Sequence, residues 1–211
     1  MEDVLDLYEE PYDPKYPTLC FDERPCQLVD DVVAPIAMNP GSPKKEDNEY
    51  ERKGTCNVFI AVEPLTGWRY LEIREHRKRV DYAEFMEKVS GMYPEAEMMR
   101  VVQDNLNTHT YGSFYENFDP EKARNLKNRF EFHYTPKKGS WLNMAEIELS
   151  VLARQCLDRR IGNTEALERE AKAWEEKRNQ KKVKVRWRFT TNDARIKMKR
   201  HYQFKTNLSV T

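Results

Sequence analysis

The stretch TCNVFIAVE (55–63) is followed by PLTG and then by WRYLEIRE (68–75). β-Branched and aromatic residues fill the first run, PLTG is a turn, and the second run alternates apolar with polar positions at the two-residue period of a strand. Together they predict an antiparallel β-hairpin with one fully buried and one half-buried strand. Such a hairpin is marginal alone, so the chain must extend it with further strands and cover its faces.

The rest of the sequence supplies both. TLCF (18–21) is a short apolar run ending at Asp22, before the turn-prone Glu-Arg-Pro, and a loop rich in Pro, Gly, Lys and Asp fills 34–49. VDYAEFMEKVSGMYP (80–94) carries Tyr82, Phe85, Met86 and Val89 at helical spacing, with Asp81 as cap and Gly91 and Pro94 as its end. EMMRVVQD (97–104) reads as a strand, 119–129 as a helix opened by Asp119 and Pro120, FEFHY (130–134) as a strand, and 142–161 as a helix. Residues 163–178 form a charged helix with Leu167, Ala171 and Trp174 on one stripe, KVKVRWRF (182–189) alternates, and 193–202 is helical. The predicted order is three strands, helix, strand, helix, strand, helix. This is an α/β chain in the order of the ribonuclease-H-like fold, a mixed five-stranded sheet flanked by helices. Residues 1–16, acidic and holding two prolines, are expected to be an N-terminal arm; 17–161 form the α/β domain and 162–211 a helical, basic C-terminal extension.

Charge is balanced in total, with 36 basic and 36 acidic residues, but not along the chain. Residues 1–31 hold ten acids against Lys15 and Arg24, whereas 177–205 hold twelve bases against Asp193 alone. A basic end suits a polyanion, with a solvated tail as the plainer alternative. Lys181, Lys182, Arg186 and Arg188 are its candidate polyanion contacts, and alternation sets Arg186 and Arg188 on the face opposite Trp187. No apolar run approaches a membrane span, and residues 1–20 carry acids where a secretion signal needs bases. The four cysteines (20, 26, 56, 156) lack paired CxxC spacing, which excludes a zinc ribbon and fits reduced thiols in the cytoplasm.

Three acids are candidates for one site. In a ribonuclease-H-like sheet the first and fourth strands are neighbours, so Asp22 and Asp104 would end side by side. Unrelieved, two such carboxylates repel, whereas a bound divalent cation removes the conflict. Stepping about 100° per residue from Leu142, the apolar residues Ala145, Leu149, Leu152, Ala153, Cys156 and Leu157 fill an arc of about 140°, with Glu146 inside its edge and Glu148 outside it. That favours Glu146 as the third acid. Other readings stay open: an Asp22–Arg24 turn pair, Asp104 as a cap, and Glu146 closing a capping box with Asn143. His109 and His133 are read as structural.

VVQDNLNTH (101–109), HYTPKKGSWLNMAEIELSVLARQCLDRRI (133–161) and EYERKGTCNVFIAVEPLTGWR (49–69) resemble the catalytic domain of bacterial insertion-sequence DDE transposases of the mariner-like superfamily. The resemblance runs over roughly residues 1–205. It matches the family's first acid to Asp22 in LCFDE, its second to Asp104 in the Asp-Asn pair, and its last to Glu146 in Leu142-Asn143-Met144-Ala145-Glu146, where Met144 replaces the usual proline. It implies that Asp22, Asp104 and Glu146 are both catalytic residues and metal ligands for Mg2+ or Mn2+, two ions in number. The implied activity is DNA strand cleavage and strand transfer on transposon ends and target DNA. A truncated remnant that binds DNA without cutting it is the alternative.

Family members usually carry helix-turn-helix segments before this domain. The expected partners are therefore DNA, a separate helix-turn-helix-bearing half and a second copy of the chain, with no membrane, in the bacterial cytoplasm at the nucleoid.

Overall fold

The computed structural model describes residues 1–199. Strands β1 (Thr18–Asp31), β2 (Tyr50–Glu63), β3 (Trp68–Arg74), β4 (Met99–Gln103) and β5 (Phe130–Tyr134) form one sheet in the order β3-β2-β1-β4-β5. β1 pairs antiparallel with β2, and β2 with β3, whereas β1–β4 and β4–β5 are parallel. The helices are α1 (Glu2–Glu9), α2 (Arg79–Gly91), α3 (Gly112–Asn117), α4 (Pro120–Arg129), α5 (Met144–Gln155), α6 (Thr164–Gln180) and α7 (Thr191–Lys197). Topology and layers match the ribonuclease-H-like expectation.

The unbroken apolar run of β2 is explained by burial on both faces. Val58, Ile60 and Val62 point into a core shared with Cys20, Val102, α1 and α5. Phe59 and Ala61 point the other way, onto Phe21, Val101 and the apolar stripe of α2. Each fully buried side chain of this size stabilises the fold by roughly 1.5–3 kcal/mol. The two cores clamp the sheet and fix the height of its strand ends.

Several expectations need correction. Residues 1–16 are not a free arm: Val4, Leu5 and Leu7 are buried in the first core, and Tyr8 donates its hydroxyl to the Leu142 carbonyl at 2.8 Å. The acids of α1 hid this apolar stripe, because Asp3, Asp6 and Glu9 occupy its outer face. β1 does not stop at Asp22 but continues to Asp31, since β2 offers it a partner along the whole length. Pro25 is tolerated because β1 pairs with β4 only over Thr18–Cys20 and is an edge beyond it. α5 ends at Gln155 rather than 161, and α3 was not anticipated. Asp81 caps α2 from its third position, accepting the Lys78 N–H at 2.7 Å. KVKVRWRF is extended but joins no sheet; Val185 N–H donates to Pro64 O at 3.2 Å. The last part of the helix expected over 193–202 lies outside the described residues.

α6 lies along β3. Asn179 accepts the Arg69 N–H (2.9 Å) and donates to the Arg69 carbonyl (2.7 Å), while Glu175 accepts the Leu71 N–H (3.0 Å). Gly67, at φ +79°, closes the β2–β3 turn beneath this segment. A Cβ there would sit 2.5 Å from the Lys182 carbonyl carbon, so the close approach requires glycine.

Candidate active site

The β1–β4 ladder pairs Cys20 with Val102, so carrying the register two residues on sets Asp22 level with Asp104. Asp22 shares its face with Cys20, which packs in the core beneath α5; Glu23 points to the opposite face, with Phe21. Asn143 brings the third acid to this place. Its Nδ2 donates to the Phe21 carbonyl at 2.7 Å, and its Oδ1 accepts the Ala145 N–H at 3.1 Å, capping α5. One buried amide thereby ties the start of α5 to the residue before Asp22. Glu146, in the first turn of that helix, lines a shallow groove with Asp22, Arg24 and Ser150.

The electrostatics follow from this placement. Burial pushes the Asp22 carboxyl up to about 7, and the charges of Glu23, Glu146 and Asp104 push the same way, against the stabilising Glu23 N–H bond (2.8 Å). No described residue forms an ion pair with Asp22 or Glu146, and Arg24 is exposed and does not pair with Asp22. The cap bond of α5 runs from Ala145 to Asn143, with no capping box closed by Glu146. Asp104 does not cap the turn after it but meets His109, Oδ1 to Nδ1, at 2.5 Å. Among the described residues no three Asp, Glu, His or Cys side chains already surround one point at metal-ligand spacing.

His109 and Glu23 were not singled out as site residues by sequence reasoning. His109 Nε2 lies 2.9 Å from Glu23 Oε2, so the imidazole bridges two carboxylates with side chains 2% (His109) and 3% (Glu23) exposed. Burial alone would lower its pKa, but the hydrogen bond to Asp104 and the ion pair with Glu23 outweigh it and raise the pKa to about 9. The available signal was strand alternation: an acid next to Asp22 must face the other core and needs a buried cation there.

Glu148 also departs from expectation. The buried side of α5 takes in Met144, Ala145, Glu148, Leu149 and Leu152, while Ala153 and Leu157 are only half-buried, so the true buried arc is rotated from the one drawn from apolar residues. Glu148 is 1% exposed and bridges the fully buried Arg69 (Nε, 3.0 Å) and Arg178 (Nη2, 2.6 Å). Apolar spacing missed it because its charge is neutralised from two other elements. Lys181, Lys182, Arg186 and Arg188 are exposed and do not line the acidic groove; Arg186 and Arg188 line a separate cavity with Tyr8 and Met144. Arg186 and Arg188 lie on the outer side of their segment with Lys184, while Trp187 packs inward against Tyr8 (ring centroids 5.3 Å) and Trp141 (6.2 Å). The four cysteines are free thiols.

A β3-β2-β1-β4-β5 sheet with one acid within β1, a second just after the adjacent parallel β4 and a third in the first turn of α5 defines a ribonuclease-H-like domain with an acidic centre. A profile of the DDE superfamily endonucleases matches residues 17–168, and the chain belongs to that family. Among solved structures, it is similar to the Mos1 mariner paired end complex with Mn, with TM-score 0.56 at 14% identity over 85% of this chain and 55% of that one. It is also similar to the mariner Mos1 paired end complex with Mg, with TM-score 0.52 at 14% identity over 85% and 58%. At that identity the likeness concerns the fold. The chain thus spans a little over half the length of these two relatives. No curated protein matches the sequence. Among the described residues no helix is long and apolar enough to cross a membrane.

Proposed function

We propose that this chain is the catalytic domain of a transposase that cuts DNA by phosphoryl transfer at Asp22, Asp104 and Glu146. The observation that supports the reading is that Asp22 and Glu146 line one groove, with Asp104 level with Asp22 on the adjacent strand, and that no cation pairs with Asp22 or Glu146 among the described residues. Hard carboxylate oxygens placed in this way fit Mg2+ or Mn2+, whose charge would offset both the burial of Asp22 and the repulsion from its acidic neighbours. The three residues would hold two ions, with the acids drawn in around them. Bound there, the metals would supply a Lewis acid for the attacking water and for the leaving 3′ oxygen.

The chain's own part is to hold Asp22 on β1, Asp104 directly after the end of β4 at the same height, and Glu146 on a capped helix. The same centre would then join the freed 3′ end to target DNA, with no covalent enzyme intermediate. The exposed Lys181, Lys182, Arg186 and Arg188 would grip phosphates without regard to sequence. A helix-turn-helix-bearing partner half and a second copy of the chain complete the proposed assembly, acting in the cytoplasm at the nucleoid.

The test is nicking of supercoiled plasmid with Mg2+ or Mn2+, with and without the partner half. Metal-dependent nicking that Glu146→Gln abolishes is the expected result. Binding without cleavage under every condition, with or without partner, would establish the remnant reading instead.

A further inference from the structure

His109 is held more tightly than a core histidine needs to be. Both ring nitrogens are engaged, Nδ1 by Asp104 at 2.5 Å and Nε2 by Glu23 at 2.9 Å. The ring lies edge-on to Phe21 (5.1 Å between centroids) and stacks on Tyr82 (4.9 Å), which leaves it no room to turn. Its backbone carbonyl accepts from Gln103 Nε2 and from the Tyr134 hydroxyl, each at 3.0 Å. Asp104, by contrast, follows the last residue of β4 and begins a segment without regular structure. Nothing in its own backbone pairing would fix its carboxylate.

We propose that His109, oriented by Glu23, is the positioning residue that fixes Asp104 for metal binding, holding Oδ1 and leaving Oδ2 to face the cation. This rests on Asp104 being a metal ligand. The geometry agrees: the Asp104 side chain remains 37% exposed and only its Oδ1 meets His109. Glu23 has a matching purpose. A buried carboxylate is unfavourable unless it is paired, and its pairing to Nε2 sets which edge of the ring is presented to Asp104. The order Glu23, His109, Asp104 runs from one face of the sheet to its end, so a rigid core feature controls an otherwise free side chain.

Two substitutions separate the ends of the ring. His109→Asn places an amide N–H near the position of Nδ1, keeping the Asp104 bond and losing Glu23. His109→Gln reaches the position of Nε2, keeping Glu23 and losing Asp104. The readouts are Mn2+ binding to the full chain by titration calorimetry, plasmid nicking, and the thermal midpoint of each variant. The expected result is a loss of about 10–100-fold in Mn2+ affinity and nicking for His109→Gln, and a smaller loss for His109→Asn, which keeps the Asp104 bond without its Glu23 anchor and melts lower. Glu23→Gln, whose amide oxygen can accept from Nε2, should retain part of what Glu23→Ala loses. Equal Mn2+ affinity in the Asn and Gln variants, with Asp104→Asn abolishing binding, would overturn the positioning role alone. Unchanged binding in Asp104→Asn would overturn the ligand reading and the positioning role with it.

Discussion

Replacing Glu148 with alanine removes the one carboxylate shared by Arg69 and Arg178. The side chains of Arg69 and Glu148 are 0% and 1% exposed, so the variant leaves a buried guanidinium without its counter-charge. Breaking such a pair destabilises by about 3–5 kcal/mol. Arg69 retains hydrogen bonds to the carbonyls of Gly67 (3.0 Å) and Val183 (2.6 Å), and Arg178, 14% exposed, can turn to solvent. Both features favour the lower end, about 3 kcal/mol. For a chain of this size each kcal/mol moves the midpoint by roughly 2–4 °C, which gives a fall of about 6–12 °C.

The assay is thermal unfolding by far-ultraviolet circular dichroism, paired with plasmid nicking well below the lower midpoint. At that temperature Glu148→Ala should still cut, whereas Glu146→Gln should be folded and silent. An unchanged midpoint would refute the buried-pair argument. Loss of nicking in folded Glu148→Ala as complete as in Glu146→Gln would refute the separation of roles between the two acids.

Asp22 sets a pH dependence whose sign is fixed by its folded pKa of about 7, above the ordinary 3.8. A raised carboxyl pKa means that the folded state holds the proton more strongly. Its stabilising contribution is therefore full below the ordinary value and lost as pH rises through the folded value. In chelator, Asp22→Asn should melt above wild type at pH values beyond about 7, with the gap closing towards 3.8; a constant gap in differential scanning fluorimetry would contradict this. Asn143→Ala should lose about 1–3 kcal/mol, from the helix cap and the bond to Phe21, and should slow nicking more than it weakens DNA binding; equal losses in the two assays would count against it. The salt dependence of DNA binding should become shallower when Lys181, Lys182, Arg186 and Arg188 are changed to Gln, by about 0.9 in the log–log slope for each phosphate that is no longer neutralised. An unchanged slope in a salt series would remove these residues from the interface.

Most of the architecture was legible because it rests on short-range pattern. The β2–β3 hairpin, the Asp119-Pro120 opening of α4 and the alternation of FEFHY are each set by neighbours in sequence. What was not legible depends on partners far along the chain. β1 runs on to Asp31 only because β2 lies beside it, and α1 is a helix with a buried face only because the first core receives Val4 and Leu5. The same divide holds at the site. Asp22, Asp104 and Glu146 could be proposed as candidates from an expected strand end, a true strand end and a helix start, but the burial of Glu148 and the engagement of His109 needed charges from β3, α6 and β1. Spacing reveals where a residue points; it does not reveal what it meets there.

The bonds from Asn179 and Glu175 to Arg69 and Leu71 have a consequence for solubility. These side chains occupy the backbone donors and acceptor that an additional strand would otherwise take up. A shortened chain ending at Ile161 would keep every candidate acid yet present that row bare, and another molecule is the nearest source of matching groups. Such a fragment should fold its sheet and then self-associate along this side, seen as a rise in apparent mass by size-exclusion chromatography. α6, which follows the candidate acids, therefore closes the outer edge of β3 against strand addition.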